Sequence, residues 1–134
     1  MNQHRRHNVE RIHAAFKAHA LWREQLRFPH ATTDLDPCWF GLPFLVDDKL
    51  AVNYQKLVRE LLQRGIDTRP IVSGNMAIQP AIRLYPIDLS LAPFDGAQVI
   101  HDHGFFIGCH AKPLDKGRIE RLVDNVLTAV DDCI

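Results

Sequence analysis

The sequence lacks the features that mark secreted and membrane-spanning proteins. Its three cysteines, Cys38, Cys109 and Cys133, are far apart and include no Cys-x-x-Cys pair. This pattern is typical of a reducing compartment and not of a disulfide framework. The N-terminus has no apolar stretch resembling a signal peptide, and no apolar run is long enough to span a bilayer. We therefore expect a cytoplasmic protein with no membrane partner.

The sequence also lacks an excess of charge of either sign. Sixteen Lys and Arg residues balance sixteen Asp and Glu residues, so no net positive field draws the chain onto nucleic acid. The fractions of apolar residues (46%) and charged residues (24%) are ordinary for a globular protein. A length of 134 residues supports one hydrophobic core but not two. We expect residues 1–134 to form a single domain that binds no nucleic acid.

Three stretches have the apolar spacing of amphipathic helices. The first covers residues 8–27, with Asn8 as its N-cap. The second covers residues 52–65 and stops at Gly65, a residue that suits the position after a helix C-terminus. The third follows Asp115 as N-cap and carries apolar residues at helical intervals: Ile119, Leu122, Val123, Val126, Leu127 and Val130.

Between these helices, short apolar segments alternate with turns. The segments predict strands at residues 38–46, 66–72 and 105–109, and a short helix at residues 96–104. Pro43 cannot donate to a ladder, so we expect its strand to be an edge strand or to be bulged. Turn-forming residues predict loops at residues 31–37 and 73–95. This order predicts a small α/β (α+β) two-layer domain, with helices packed on a mixed or antiparallel sheet of three to four strands.

Two reactive groupings occur in HDHGFFIGCH, and both have plain structural explanations. His101, His103, Cys109 and His110 are zinc-ligand residue types, but their spacing matches no standard site. Cys109 and His110 are adjacent on a predicted strand and point to opposite faces, so they cannot form a nucleophile–base pair. Surface histidines and a buried thiol explain the same residues. We predict neither a metal site nor a catalytic residue.

The stretch RPIVSGNMAIQP (residues 69–80) is polar and rich in turn-forming residues. It contains neither of the glycine-rich phosphate-binding motifs of nucleotide-binding proteins. The backbone amides of residues 73–75 can still form a small anion nest, and Arg69 and Arg83 flank the loop. Simple turn formation and surface salt bridges are the structural alternatives. Residue chemistry alone therefore gives an α/β domain with a polar loop and no complete catalytic set.

Four blocks resemble, in order, the C-terminal small domain of the DegT/StrS-type nucleotide-sugar aminotransferases and dehydratases. They are CWFGLPFLV, LVRELLQRGIDTRPIVSGNMAIQP, GAQVIHDHGFFIGCH and the terminal amphipathic helix. The resemblance extends over residues 8–132. It leans toward members that act on the sugar 3-position, which share the GN…QP and GFFIG blocks.

The resemblance implies a fold like the small domain of fold-type-I pyridoxal phosphate (PLP) enzymes and a role in deoxysugar or lipopolysaccharide biosynthesis. The family's large domain holds PLP, and the sequence contains no counterpart of that domain. We therefore expect no cofactor on this chain alone, and no activity without a PLP-binding large domain on another chain. The lysines all lie outside blocks that resemble the family's cofactor segment: Lys17, Lys49, Lys56, Lys112 and Lys116.

By motif position, the resemblance implies that a nucleotide-sugar ligand meets this domain at its polar loop and at the end of its last strand. The residues concerned are Arg69, Asn75, Gln79, Arg83 and His110. They are substrate-binding residues on this hypothesis, and none of them is catalytic.

Three functions remain open on the sequence. The chain is the small domain of a truncated or split enzyme, a stand-alone nucleotide-sugar-binding module, or an assembly domain that forms a homodimer. A homodimer is favoured if apolar surface that would otherwise pack against a large domain is exposed. Trp22, Trp39 and Phe40 are candidates for that surface, with ordinary core packing as the alternative.

Overall fold

The computed structural model describes residues 2–29, 34–47, 49–90 and 94–134. Its helices are α1 (Asn2–Ala18), α2 (Tyr54–Gln63), α3 (Asp95–His103) and α4 (Lys116–Asp131). Its strands are β1 (Leu26–Arg27), β2 (Gly41–Val46), β3 (Thr68–Pro70) and β4 (Gly104–Gly108). Two short 3-10 helices, Met76–Ile78 and Pro80–Leu84, lie within the loop predicted at residues 73–95. Residues 31–33 and 91–93 of the two predicted loops lie outside the described residues.

The four strands form one antiparallel sheet in the order β1-β2-β4-β3. Strand β2 pairs with β4 from Gly41 opposite Gly108 to Leu45 opposite Gly104. Strand β3 lies on the other side of β4, with Pro70 opposite Phe105. The prediction of an α/β (α+β) domain, with helices packed on a mixed or antiparallel sheet of three to four strands, is confirmed, and the sheet is antiparallel with four strands.

The prediction that the strand containing Pro43 lies at the sheet edge is wrong, because β2 lies between β1 and β4. The central position tolerates proline because β1 is short. Among the described residues, β1 pairs only with Leu45 and Val46. Pro43 lies beyond the end of that pairing, so its missing N–H removes no bond to β1. A strand of two residues is too short to show a period of two in the sequence, and β1 was not predicted.

One face of the sheet carries the hydrophobic core. Strand alternation places Leu42 and Phe44 of β2 on that face beside Phe105 and Ile107 of β4. Phe44 stacks on Phe105 with ring centroids 5.2 Å apart and meets Phe16 edge-on at 5.6 Å, both preferred aromatic geometries. Three helices cover this face with buried residues: Ile12 and Phe16 of α1, Leu57 and Leu61 of α2, and Val123, Val126 and Leu127 of α4.

Helix α1 begins at Asn2, so Asn8 is not an N-cap but a buried residue inside the helix. The side-chain amide nitrogen of Asn8 donates to the carbonyl oxygens of His110 at 3.0 Å and Lys112 at 2.8 Å. Its Oδ1 accepts from the backbone N–H of Leu114 at 3.0 Å. A buried amide with three hydrogen bonds fixes α1 against the segment between β4 and α4.

Helix α1 ends at Ala18, well before its predicted end, because a tight turn follows it. The buried Gln25 stabilises this turn: its Oε1 accepts from the backbone N–H of Arg23 at 2.7 Å, and its Nε2 donates to the Leu21 carbonyl at 2.8 Å. Glu24 adopts a left-handed φ of 57°, which interrupts a right-handed helix. The apolar residues after this turn match the spacing of a helix, although they do not belong to one.

The predicted stop of α2 at Gly65 and the predicted N-cap of α4 at Asp115 are confirmed, whereas α2 begins at Tyr54, two residues after its predicted start. Asn53 caps α2 by accepting from the backbone N–H of Lys56 at 3.0 Å. Gly65 follows that helix with a φ of 78°, a conformation that glycine adopts without strain. Asp115 caps α4 by accepting from the backbone N–H of Arg118 at 2.9 Å.

The three aromatic residues considered for an exposed surface are placed differently. Trp22 and Trp39 are partly buried and pack against the core, so for these two residues the alternative of ordinary core packing is correct. Phe40 is 65% exposed and meets the ring of Phe106 edge-on. In the described ranges, no helix is long and apolar enough to cross a membrane.

Candidate functional site

The polar loop leaves the end of β3 and turns sharply against α3. Ser73 and Gly74 both adopt left-handed φ values, 61° and 52°. A Cβ on Gly74 would lie 2.2 Å from Nδ1 of His101, so only glycine allows this close approach. The next backbone N–H, that of Asn75, donates to the same His101 nitrogen at 3.4 Å. The Ser-Gly-Asn sequence therefore makes a turn that fits one surface of α3.

Asn75 fastens this loop to α3. Its side chain is buried, with the residue only 1% exposed. Its Nδ2 donates to Oε1 of Gln98 at 2.9 Å, and its Oδ1 accepts from the backbone N–H of Ala77 at 3.0 Å, which caps the first 3-10 helix. Gln98 in turn donates to Oδ2 of Asp102 at 2.9 Å. Because the Asn75 amide is committed to these bonds, its role is to position the loop.

Arg69 lies on the sheet face opposite the core. It pairs in register with Phe106 of β4, whose neighbours Phe105 and Ile107 point into the core. Its guanidinium meets the carboxylate of Asp67 at 3.2 Å, with both side chains more than two-thirds exposed. An exposed ion pair of this kind contributes little to stability, so a phosphate can replace Asp67 as the partner of Arg69.

Gln79 and Arg83 lie farther along the same segment. The Gln79 side chain donates to the carbonyl of Ser73 at 3.1 Å and so closes the loop on itself. Arg83 is exposed at the end of the second 3-10 helix. Within the described part of the chain it makes no hydrogen bond or ion pair. Of the predicted ligand residues, Arg69 and Arg83 therefore present cationic groups to solvent, while Asn75 and Gln79 shape the loop.

The structure does not bring His110 to this loop. The loop continues from Pro70, which pairs with Phe105 at the start of β4, whereas His110 follows the other end of that strand. His110 lies five positions after Phe105 and two after the end of β4, so in extended chain the two residues are about 17 Å apart. His110 instead lines a cavity of about 430 Å³, together with Arg118 and with Asp67, the ion-pair partner of Arg69.

The cysteine and histidine grouping of HDHGFFIGCH has a structural explanation. Cys109 is buried beside the core, and burial raises the pKa of its thiol. The thiol therefore stays protonated, which disfavours a nucleophilic role. In the part of the chain that the structure describes, no group of three or more His, Cys, Asp or Glu residues is placed to hold a metal ion.

The lysines do not fit a PLP site. A Schiff-base lysine needs a desolvated or charged pocket that lowers its pKa. All the lysine side chains are exposed: Lys17, Lys49, Lys56, Lys112 and Lys116. The ammonium group of Lys56 binds the carbonyl of Asp132, and that of Lys116 pairs with Glu120 at 3.6 Å. No step of PLP chemistry is assigned to these residues.

Close packing and a hydrogen bond fix the junction between α3 and β4, and so position α3 beside the loop. A Cβ on Gly104 would lie 2.4 Å from the carbonyl oxygen of Ile100, so glycine lets the strand begin where the helix ends. The hydroxyl of Tyr54 donates to the Gly104 carbonyl at 2.9 Å, and burial raises the pKa of that phenol. A neutral tyrosine therefore fixes this junction at neutral pH.

Sequence reasoning missed Gln98 and considered His101 only as a metal-ligand type. Both lie on α3, three residues apart, and such residues share one face of a helix. Their common hydrogen-bond partner, Asn75, lies more than twenty residues earlier in the chain. The one signal in the sequence was a pair of polar residues three positions apart, close to the glycine that ends the helix. That signal does not indicate which residues the pair contacts.

Comparison with known proteins finds similarity to sugar 3-dehydratases and to a lipopolysaccharide biosynthesis protein. No family model matches the sequence. GDP-4-keto-6-deoxy-D-mannose 3-dehydratase of Yersinia pseudotuberculosis is 32% identical over 73 residues, which are 54% of this chain and 18% of that protein. Lipopolysaccharide biosynthesis protein RfbH of Salmonella typhimurium is 40% identical over 57 residues, 42% of this chain and 13% of that protein. A crystal structure of GDP-4-keto-6-deoxymannose-3-dehydratase with a trapped PLP-glutamate geminal diamine superposes with a TM-score of 0.78 at 27% identity.

That superposition covers 92% of this chain but 30% of the dehydratase chain. The chain therefore spans less than a third of the length of the relatives it matches. Its four-stranded antiparallel sheet and packed helices match the small domain of fold-type-I PLP enzymes. The chain is thus a homologue of part of the PLP-dependent sugar 3-dehydratases, and it has the fold of the small domain of fold-type-I PLP enzymes.

Proposed function

We propose that the chain is the substrate-lid small domain, C-terminal in position, of a PLP-dependent nucleotide-sugar aminotransferase or dehydratase. One observation supports this most strongly: 92% of the chain superposes on a dehydratase of which it covers only 30%. On this proposal the cofactor comes from a PLP-binding large domain outside residues 1–134. The chain by itself is inactive, because it offers neither a desolvated lysine nor a nucleophilic thiol.

The proposed ligand is a nucleotide-linked deoxysugar, bound through its phosphates. Two relatives are named for GDP-linked sugars, and a diphosphate carries charge that arginine recognises by charge-assisted hydrogen bonds. Arg69 and Arg83 would supply those bonds, and Asn75 and Gln79 would hold the loop between them in place. His110 lies at the far end of β4 and is left out of this phosphate site. The proposed setting is deoxysugar or lipopolysaccharide biosynthesis in the cytoplasm.

A thermal-shift panel tests the ligand. The purified chain is heated with PLP and with GDP-, dTDP-, UDP- and CDP-linked sugars. A sugar nucleotide at a hundredfold excess over its dissociation constant stabilises the fold by about 2.7 kcal/mol. At roughly 3–5 °C per kcal/mol for a domain of this size, Tm rises by about 8–13 °C. Stabilisation by one sugar nucleotide and none by PLP is the expected result.

Matched arginine variants localise the effect. Arg69→Ala and Arg83→Ala should each abolish the shift, whereas Arg59→Ala, an exposed arginine on α2, should leave it intact. A shift with PLP alone, or a nucleotide-sugar shift that survives both loop variants, would contradict the proposed site. No shift with any ligand would rule out a stand-alone nucleotide-sugar-binding module.

A homo-oligomeric interaction domain is a second candidate. The observation that favours it is exposed apolar surface in the polar loop and after it, where Val72 is 73% exposed and Leu84 is 82% exposed. Exposed apolar surface of this kind marks an association site.

A further inference from the structure

Two of the three cysteines, Cys38 and Cys109, come close together at the end of the sheet where β2 begins and β4 finishes. The backbone N–H of Cys109 donates to the carbonyl of Phe40 at 3.0 Å. This bond continues the β2–β4 pairing by one position beyond Gly41 and Gly108. Cys38 lies two residues before Phe40, and such diagonal neighbours have Cα atoms about 7–8 Å apart in a regular ladder. The pairing of the strands therefore brings the two cysteines to the same end of the sheet.

Both thiols also face the same turn of α1. The sulfur of Cys109 lies 3.7 Å from the carbonyl oxygen of Arg5, and that of Cys38 lies 4.0 Å from the carbonyl oxygen of Asn2. Residues three positions apart on a helix are separated by only about 4.5 Å along its axis. Burial raises the pKa of the Cys109 thiol most, Arg5 lowers that pKa, and Cys38 raises it. Charges act on a pKa in this way only at short range, which agrees with two neighbouring thiols.

The surroundings of Cys38 leave it free to approach Cys109. A disulfide needs Cα atoms about 4.4–6.8 Å apart, slightly closer than diagonal neighbours in a ladder. Within the described part of the chain, residues 37–39 make no backbone–backbone hydrogen bond. This short segment can therefore shift toward β4 without breaking a strand pairing. Cys38 is partly exposed, whereas Cys109 is only 6% exposed, so a reagent in solution meets Cys38 first.

The third cysteine lies too far away to compete. Cys133 follows the C-terminal end of α4, where Asp131 pairs with Arg23 at 2.7 Å. Arg23 comes after the C-terminal end of α1, whereas the other two thiols face its first turns. From Arg5 to the end of α1 at Ala18 the helix rises by about 20 Å. A disulfide from Cys133 to either of the other cysteines would therefore require the fold to open.

We propose that Cys38 and Cys109 form a reversible disulfide when the chain meets a low-molecular-weight disulfide oxidant such as oxidised glutathione. The thiolate of Cys38 attacks one sulfur of the oxidant, forms a mixed disulfide and releases one thiol. Cys109 then attacks the Cys38 sulfur and releases the second thiol, which takes up the Cys109 proton. Two protein thiols are oxidised, and one oxidant disulfide is reduced to two thiols. The raised pKa of Cys109 makes this second step the slower one.

The disulfide would act as a redox-sensitive lock on the two central strands. It joins the segment that leads into β2 to the end of β4, and it closes a loop of about 70 residues of chain. A link across so long a loop restricts the unfolded chain and stabilises the fold. In a reducing compartment such disulfides are usually transient and respond to oxidants. This inference goes beyond the proposed nucleotide-sugar function and does not depend on it.

The test is to incubate the purified, reduced chain with oxidised glutathione and to measure its intact mass and its peptide map. The wild type should lose two hydrogen atoms and give one linked peptide pair, containing Cys38 and Cys109. A thiol reductant should restore the original mass. Cys133→Ala is the matched control and should form the same link. In denaturing urea all three possible cysteine pairs should appear, so a native sample that gives the same mixture would overturn the proposal.

Two single variants separate the roles of the thiols. Cys38→Ser, a change in a partly exposed loop, should keep its mass because the remaining partner Cys109 is buried. Cys109→Ala should instead hold one glutathione on Cys38, because the second step is missing. The linked wild type should unfold at a Tm about 6–20 °C higher than the reduced chain. Three free thiols after oxidation, a lasting glutathione adduct on wild-type Cys38, or a lower Tm of the linked chain overturns the inference. No readout involves a nucleotide-sugar, so failure of the proposed function leaves this result unaffected.

Discussion

Replacing Asn75 by alanine should release the polar loop from α3. The change removes two hydrogen bonds of a buried side chain, from Nδ2 to Gln98 at 2.9 Å and from the Ala77 N–H to Oδ1 at 3.0 Å. A hydrogen bond of this kind contributes about 1 kcal/mol net, and more when a buried group loses its partner. The free energy needed to open the loop should therefore fall by about 1–3 kcal/mol relative to the wild type.

Native-state hydrogen exchange reads this opening directly at the Ala77 amide. A loss of about 1–3 kcal/mol accelerates that exchange roughly 5- to 150-fold. A double-mutant cycle with Gln98→Ala should show a coupling of about 1 kcal/mol, because the two side chains share one bond. Gln79→Ala, which removes a single bond to the Ser73 carbonyl, should have a smaller effect. Unchanged exchange at Ala77 in Asn75→Ala would refute the conclusion that Asn75 positions the loop.

Three further predictions concern the fold. Asn8→Ala removes three hydrogen bonds of a fully buried amide. Urea unfolding should show that the free energy of unfolding falls by about 3–5 kcal/mol. A decrease below about 1 kcal/mol would contradict the description of α1. Leu127→Ala, at a core position that is 0% exposed, should lose about 2–5 kcal/mol by the same assay, and a loss typical of a surface site would contradict the packing of α4 on the sheet. The backbone N–H of Arg118 lowers the pKa of Asp115, so the cap is complete above the ordinary carboxyl pKa of about 3.9 and is lost as pH falls below it. Asp115→Asn should therefore decline less in Tm between pH 7 and pH 3 than the wild type, and parallel declines would count against this cap.

The elements that were predicted correctly are those whose signals are local in the chain. Helix α4 shows both its apolar stripe and its cap, Asp115, within one short stretch of sequence. Helix α2 likewise ends where Gly65 permits a left-handed φ. The apolar segments between these helices predicted β2, β3 and β4, and left the pairing of the sheet as mixed or antiparallel. Such signals act over a few residues, so a single sequence contains all of their information.

The errors arise where the decisive partner is distant in sequence. Asn8 resembles an N-cap by residue type, yet its hydrogen bonds reach residues more than one hundred positions away. Pro43 suggested an edge strand, but the partner strand β1 is so short that a central proline is tolerated. For the same reason the sequence did not predict the hydrogen bond between Asn75 and Gln98, which lie 23 positions apart. Arg69 lies in β3 and His110 follows the end of β4, and only the pairing of these strands shows how the two residues are placed.

The proposed site is built from a loop that glycine, asparagine and glutamine hold rigid. Arg69 and Arg83 project from it with their guanidinium groups in solvent. A preorganised loop binds a ligand without the entropic cost of ordering that loop. The arrangement therefore suits a lid whose two arginines bind the phosphates of the ligand, which is the role proposed for this domain.

The most direct test of the proposed function is a titration of the isotopically labelled chain with GDP-mannose, followed by two-dimensional amide NMR. The amides of residues 69–83 should shift in a saturable manner, and those around His110 at the far end of β4 should not. Arg83→Ala should abolish the shifts. An unperturbed spectrum at millimolar GDP-mannose, or shifts confined to the His110 cavity, would contradict the assignment of this loop as the nucleotide-sugar site.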